Sequence, residues 1–194
     1  MSYDAYPWGR WLKWAVAAVL ILIVVMSSVS TYNGLVSKDQ EVQKTWSQVE
    51  NVMQERADKI NNLVAVVKGY TKHEEKVFGD IAAARSQLMN NNGDIRSKLL
   101  ADSRINDATR EVLLLVENYP NLKADQQYHD LSVAIDEVQN KVAVERKRFI
   151  EAVQTYNISI KRFPGSLFAG MMGFAPKDYF KADSGAEKSP DIQF

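Results

Sequence analysis

The chain has 194 residues, with 24 lysines and arginines balanced by 24 aspartates and glutamates, and it contains no cysteine. This length suits one domain of ordinary size with an appendage. Because the net charge is zero, the basic field that draws proteins to nucleic acid is missing, and no nucleic-acid partner is expected. The lack of cysteine excludes disulfides, thiolate zinc sites, iron-sulfur clusters, cysteine nucleophiles and a lipidated cysteine.

An apolar segment lies near the start of the sequence. Residues 15–26 form an unbroken apolar run, and Lys13 is the only charge within 11–30. Twenty helical residues span about 30 Å, the thickness of the bilayer hydrocarbon. Aromatic residues flank the run on both sides, as is typical of membrane interfaces. We therefore predict a membrane anchor within residues 1–31, and the residues chosen to represent the anchor and its boundary are Trp11, Trp14, Leu20, Leu22, Val25 and Tyr32.

A cleaved secretory signal is the alternative interpretation of this segment. Arg10 and Lys13 would form its positive flank, and small residues occupy positions 28–30, where cleavage would fall. If the segment is retained, positive charges lie on both of its flanks. The positive-inside rule then favours only slightly an inside N-terminus with the large domain outside.

Residues 32–163 are predicted to form an elongated antiparallel helical bundle with two long helices. Apolar residues at steps of three and four from Leu35 to Leu88 indicate one helix on the order of 75 Å long. The sequence NNNGD at 90–94 predicts a turn, and a medium helix follows from Ile95 to about Asn118. A third helix begins near Asp125, so the predicted fold class is all-α.

Polar residues interrupt the apolar faces of both long helices. Asp58 and Asn62 lie beside the first face, and Arg146 lies at a gap in the last one. One hypothesis is a cross-helix ion pair between Asp58 and Arg146 or Arg148 that fixes the helix register. The alternative is that these groups lie at the edge of the seam and are solvated.

Residues 164–194 are predicted to form an apolar short helix followed by an extended tail. The stretch FPGSLFAGMMGFAP at 163–176 is too short to span a bilayer. On a helix, its small residues at every fourth position would form a stripe that lets another backbone approach closely. Docking could occur on the chain's own bundle, on a neighbouring subunit or on lipid. The candidate contact residues are Phe163, Pro164, Gly165, Ala169, Gly173 and Phe174, and the apolar end at Ile192 and Phe194 could bind the same bundle.

The sequence offers little that predicts chemistry. His73 with Glu74 lacks the second histidine one turn on that a metallopeptidase helix needs. His129 lies in the first turn after Asp125, a natural N-cap, and is expected to be exposed. Phosphate-binding loops and serine elbows are missing. We therefore predict a protein that is not an enzyme, with no catalytic residue, cofactor or metal ligand.

The chain resembles the LemA family of bacterial membrane-anchored helical proteins. The motifs that carry the resemblance are YNGLV at 32–36, RADKINNLV at 56–64, VKGYTKHE at 67–74, AAR at 83–85, ENYPNLKA at 117–124, VERKRFIEAVQTYN at 144–157, FPGSLFAGMMGF at 163–174 and KSPDIQF at 188–194. Asn61 stands where the family usually has proline. The resemblance implies a single N-terminal span, a helical bundle and no recognised catalytic site.

These observations lead to three functional hypotheses. The first is a structural or adaptor protein, self-associating as a homo-oligomer, that binds a membrane partner through its bundle and tail. The second is a lipid-interacting, membrane-remodelling protein. The third, an accessory factor of a membrane-bound metalloprotease, comes from the resemblance alone. In each case the expected location is the bacterial inner membrane, with the large domain on the extracytoplasmic side.

Overall fold

A computed structural model describes residues 8–71, 75–90 and 94–179, with side chains from residue 11 onward. Within these ranges the chain forms helices and no strands. The helices are α1 (Trp8–Lys68), α2 (Glu75–Leu88), α3 (Ile95–Val116), α4 (Pro120–Lys123), α5 (Gln126–Lys161) and α6 (Gly165–Phe168). The predicted all-α class, with one long apolar helix at the N-terminus, is confirmed.

The chain divides into two compact units. The terminal unit combines residues 1–44 with residues 149–194, and the central unit comprises residues 45–148. Both α1 and α5 contribute residues to each unit, and α1 passes without interruption through residue 31. We describe the two units separately.

The single helix predicted from Leu35 to Leu88 is wrong, because α1 ends at Lys68 and α2 begins at Glu75. Glycine is costly inside a helix, and Gly69 directly follows the last residue of α1. The chain leaves the helix through a turn in which the Gly69 N–H donates to the Val66 carbonyl at 3.0 Å. The apolar period continues into α2, which is why the pattern did not indicate the break.

The limits of α3 and α5 follow from local sequence signals. The Asp94 carboxylate accepts a hydrogen bond from the Ser97 N–H at 2.6 Å and caps the N-terminus of α3. Asp125 does the same for α5, with the Tyr128 N–H as donor at 3.1 Å. Pro120 is the first residue of α4, a position where its missing N–H costs nothing.

The central unit buries one apolar face from each of its long segments. Helix α2 packs against α3, and α3 packs against α4. Each fully buried aliphatic side chain contributes about 1.5–3 kcal/mol relative to exposure. The core residues are Val49, Met53, Ala57, Ile60, Leu63, Val64, Val67, Phe78, Ile81, Ala84, Leu88, Ala101, Ile105, Ala108, Val112, Val116, Leu122, Ile135, Val138 and Val142.

The terminal unit has a smaller core. Its buried apolar residues are Leu35, Val42, Phe149, Val153, Tyr156, Ile160 and Ala169. Leu35 and Val42 belong to α1 and the next four to α5, while Ala169 directly follows α6. The tail is therefore part of this core.

The start of α1 is apolar but, unlike a core helix, it is not buried. Its most apolar 18-residue window has a mean hydropathy of 2.3, and none of that window is buried. By length and composition, the described part of this helix can cross a membrane. The predicted anchor residues are all exposed, namely Trp11, Trp14, Leu20, Leu22, Val25 and Tyr32.

Candidate functional site

The candidate site is the C-terminal clasp, which we define as residues 163–177 together with the surfaces of α1 and α5 that they contact. At its far end, Asn157 of α5 holds the backbone of Lys177 in both directions. The Asn157 side-chain amide donates to the Lys177 carbonyl at 2.8 Å, and the Lys177 N–H donates back to Asn157 Oδ1 at 2.9 Å. The Tyr156 hydroxyl donates to the Ala175 carbonyl at 3.2 Å. Side chains of α5 thus fix the backbone of the tail.

The side chain of Lys177 ties the tail to α1 as well. Its ammonium lies 2.7 Å from Asp39 Oδ1 and 5.3 Å from the centroid of the Tyr156 ring. The first contact is an ion pair and the second is a cation–π contact. Burial, and then the charge of Asp39, raise the pKa of the Tyr156 hydroxyl above its ordinary value. This hydroxyl therefore remains a hydrogen-bond donor at neutral pH.

The small residues of the tail lie where it approaches α5. A Cβ placed on Gly165 would meet the Ser159 carbonyl oxygen at 2.1 Å, so the two backbones are in direct contact there. Ala169, one turn later, is only 2% exposed. Since α6 ends at Phe168, the helical stripe does not continue to Gly173. Gly173 instead adopts a φ of 79°, a conformation that glycine tolerates far better than other residues.

Two aromatic rings join the tail to α1 just beyond the apolar run. Phe174 and Tyr32 pack edge to face, with ring centroids 5.9 Å apart. Phe163, by contrast, is 78% exposed, and the peptide bond between it and Pro164 is cis. Of the predicted tail residues, Gly165, Ala169 and Phe174 pack against the rest of the unit, whereas Phe163 and Gly173 are exposed.

A groove of about 430 Å³ lies beside the clasp. It is bounded by α1, the end of α5 and the start of the tail, and its polar lining consists of hydroxyl groups and two cations. The lining residues used below are Ser30, Gly34, Lys38, Ser159 and Arg162.

The central unit contains a buried charge cluster that the sequence analysis missed. The Arg56 guanidinium donates to the Asp102 carboxylate and to the Gln139 side chain, and Arg146 donates to the second oxygen of Asp102. Arg56 is 1% exposed and Asp102 is fully buried. Burial lowers the pKa of Arg56, while the charge of Asp102 opposes this shift.

A weak signal for this cluster exists in the sequence. Arg56 is three residues after Met53 and four before Ile60, so it lies in phase with the apolar face of α1. Asp102 likewise lies three residues before Ile105. Charged residues are usually exposed, so a charged residue in phase with an apolar face is taken to lie at its edge, and its burial is missed.

The cross-helix ion pair expected between Asp58 and Arg146 or Arg148 is wrong. Asp58 instead accepts a hydrogen bond from Arg85 of α2 at 2.8 Å, and both side chains are largely exposed. Arg146 reaches α3 through Asp102. The reason is the short helix α2, which was expected to be part of the first helix and instead packs beside it.

The remaining predicted residues take no part in either cluster. Asn62 and His129 are exposed. His73 and Glu74 lie outside the described residues, as do Ile192 and Phe194. In the ranges that the structure describes, no group of three or more metal-binding side chains converges.

An unburied apolar helix that continues into a helical core defines a class of membrane-associated helical proteins. Residues 45–194, more than three quarters of the chain, match the LemA family, so the protein belongs to the LemA family. Magnetosome protein MamQ 2 of Paramagnetospirillum magneticum is 24% identical over 191 residues, which cover 86% of this chain and 70% of that protein. MamQ of Magnetospirillum gryphiswaldense is 23% identical over 194 residues, covering 87% and 71% of the two chains. The family resemblance predicted from the motifs is confirmed.

Proposed function

We propose that this protein is a non-enzymatic scaffold that spans the bacterial inner membrane once and presents its helical domain to protein partners, including copies of itself. The observation that carries this proposal is the apolar run of α1, in which no residue is buried. Soluble proteins rarely expose apolar patches larger than a few hundred Å². Twelve consecutive apolar residues around a whole helix exceed that limit, and a bilayer is the medium that removes them from water.

Four exposed apolar side chains in the central unit support the binding of a partner. Leu100 and Leu114 are fourteen residues apart on α3, so they share one side of that helix. Val133 and Val144 are eleven residues apart on α5 and also share one side. Charged residues lie between the members of each pair, for example Asp107 and Glu137. Association with a second helix, from another copy or from another membrane protein, would bury these apolar side chains.

The oligomeric state of the full-length protein in detergent tests self-association. The protein mass, corrected for bound detergent, should be at least twice the 21.9 kDa mass of one chain. The substitution Leu114→Glu should lower it, because a charge would be placed in the apolar contact. Arg110→Gln is the matched control on the same helix, since Arg110 is largely exposed and pairs only within α3. A wild-type monomer at all concentrations would contradict the homo-oligomeric scaffold.

Membrane topology is tested with a single introduced cysteine, because the chain has none of its own. Asp178→Cys lies on the exposed tail after Lys177. In intact cells with a permeabilised outer membrane, a membrane-impermeant maleimide should label it, since we place the domain on the extracytoplasmic side. Labelling only after the inner membrane is opened would reverse the orientation. Release of the protein from membranes by alkaline carbonate would contradict the span itself.

A further inference from the structure

Part of the tail of the clasp has an inverted distribution of side chains. The small residues Gly165 and Ala169 are buried, while the large apolar residues Phe163, Leu167 and Met171 are exposed. Leu167 is 59% exposed and Met171 is 88% exposed, and with Phe163 they recur every four residues. The backbone hydrogen bonds Ser166 to Arg162 and Met172 to Phe168 keep this stretch in helical or near-helical turns. We refer to these three exposed apolar side chains as the outer face of the clasp.

Water is a poor medium for such a face. In a water-soluble tail the energetically favoured arrangement buries phenylalanine, leucine and methionine and leaves glycine and alanine outside. Here the contact between Gly165 and the Ser159 backbone leaves no room for a side chain on the inner side. The large residues are directed outward by the same packing that docks the tail, so the medium on that side is expected to be apolar.

The outer face lies at the level where α1 leaves the apolar run. The groove that borders it begins at Ser30, the last residue of the twenty-residue segment that spans about 30 Å. From Ser30 to Gly34 the helix rises roughly 6 Å, which is comparable to the headgroup layer on one side of a bilayer. Tyr32, at the same level, packs on Phe174 of the tail. The clasp is thus continuous with the membrane-facing end of α1.

Two cations border the same face. Lys38 and Arg162 both line the groove, and neither forms an ion pair with a carboxylate among the residues that the structure describes. The side chains of a helix tilt toward its N-terminus, so the Lys38 stem points back toward the apolar run. Long cationic side chains in this position carry their charge to the phosphate level of a bilayer.

We propose that the outer face of the clasp is a lipid-contact surface, in which Phe163, Leu167 and Met171 enter the interfacial layer while Lys38 and Arg162 bind the phosphates of anionic phospholipids. This proposal rests on the proposed membrane span of α1. It makes the clasp a second, reversible membrane contact beside the permanent one. It also assigns the exposed residues of the tail to lipid and not to a protein partner.

The test measures depth in the bilayer with single-cysteine variants of the full-length protein. Met171→Cys, Leu22→Cys and Asp178→Cys each receive the same environment-sensitive fluorophore, and the protein is reconstituted into phosphatidylcholine vesicles containing phosphatidylglycerol. Lipids brominated near the headgroup end of their chains act as shallow quenchers, and lipids brominated near the terminal methyl groups act as deep quenchers in separate vesicles. We expect strong quenching of the label at 171 by the shallow quencher and of the label at 22 by the deep one. Little quenching is expected at 178, whose neighbour Lys177 pairs with Asp39, roughly 14 Å along α1 from Ser30.

Each outcome has a distinct meaning. Quenching at 22 without quenching at 171 would overturn the lipid-contact surface and leave the span of α1 intact. If the label at 22 is not quenched either, the membrane span itself has failed. If the label at 178 is quenched as strongly as that at 171, the whole tail collapses on lipid and the specific face is wrong.

The role of the cations has a test of its own. The double variant Lys38→Gln, Arg162→Gln should reduce the quenching at 171 in vesicles that contain phosphatidylglycerol. In vesicles of phosphatidylcholine alone, the variant and the parent should differ little. Lys161→Gln, next to Arg162 and exposed, is the control for the loss of one positive charge outside the groove. Equal quenching of the double variant and the parent with phosphatidylglycerol would remove the two cations from the lipid-contact surface.

Discussion

The buried charge cluster and the C-terminal clasp hold their units together by opposite means. In the cluster, Asp102 binds Arg56, 46 residues before it, and Arg146, 44 residues after it. Asp102 and Arg56 are fully withdrawn from water. The clasp joins Asn157 and Lys177, which are 20 residues apart, through hydrogen bonds to the backbone. Its contacts with α1, such as the ion pair of Lys177 with Asp39, lie between partly exposed groups. Buried charges cannot separate without a large desolvation penalty, whereas amides that leave the clasp can bond to water.

The difference indicates which contacts should open first. Contacts between partly exposed groups open with small free energies, while a buried ionic network opens only with the surrounding core. We therefore expect the clasp to open more readily than the core of the central unit, which would suit a surface whose proposed ligand is a bilayer.

The largest expected effect comes from removing the centre of the cluster. Asp102→Ala leaves Arg56 buried without its partner, and the free energy of unfolding should fall by about 3–5 kcal/mol. Asp58→Ala is the control, because its ion pair with Arg85 is exposed and worth at most about 1 kcal/mol. Denaturant unfolding followed by circular dichroism measures both. If the two variants lose equal stability, the buried cluster contributes no more than a partly exposed ion pair, and the cluster side of the comparison is wrong.

A smaller and more local effect is expected at the glycine contact of the clasp. Gly165→Ala places a methyl group against the Ser159 carbonyl, and overpacking of this kind costs about 1–3 kcal/mol. Amide hydrogen exchange should accelerate over residues 165–177 and stay unchanged in α3. Gly170→Ala is the matched control, since nothing lies within 4 Å of its added Cβ. Equal protection in both variants would show that the tail is not held at Gly165.

The smallest effect concerns a hydrogen bond in the central unit that is open to solvent. The Tyr70 hydroxyl donates to Asp125 at 2.7 Å, and this bond lowers the pKa of Asp125 and raises the pKa of Tyr70. The contribution of the Asp125 carboxylate to stability is present at pH values above its ordinary pKa of about 3.9, and it is lost as pH falls through the lowered pKa. The contribution of the Tyr70 hydroxyl is present at pH values below the ordinary tyrosine pKa of about 10, and it is lost as pH rises through the raised pKa.

The Tyr70→Phe variant should therefore be less stable than the parent only at pH values at which Asp125 is ionised and the Tyr70 hydroxyl is protonated. The two stability profiles should converge at acidic and at alkaline pH, as measured by thermal unfolding across the pH range. Tyr179→Phe, another exposed tyrosine, should show no such window. A constant difference at every pH would indicate that the hydroxyl acts through something other than this pair.

Much of the fold could be predicted from the sequence because apolar periodicity decides which helix faces are buried. The positions from Leu35 to Val67 and from Ile105 to Val116 follow the expected steps, and Asp94 and Pro120 mark helix starts by local chemistry. The break after Lys68 could not be predicted, because α2 keeps the phase of α1.

The candidate sites were only partly predictable for a different reason. Small residues at every fourth position indicated a close backbone approach, and Gly165 is where the structure has one. The turn at Gly173 depends on a backbone conformation that spacing does not encode. The pairing of Arg56 with Asp102 depends on which helices become neighbours, so it required the three-dimensional arrangement.

The contact between Asn157 and Lys177 places unequal constraints on the two positions. Asn157 recognises a peptide unit, with one amide serving as donor and acceptor at once. Any residue that has a backbone N–H can supply that unit, so proline alone is excluded at 177 by this pair of bonds. At 157 only asparagine and glutamine carry both groups on one side chain, and glutamine is a methylene longer. This pair of hydrogen bonds therefore depends on the side chain at 157 and not on the side chain at 177, where only the contacts with Asp39 and Tyr156 depend on lysine.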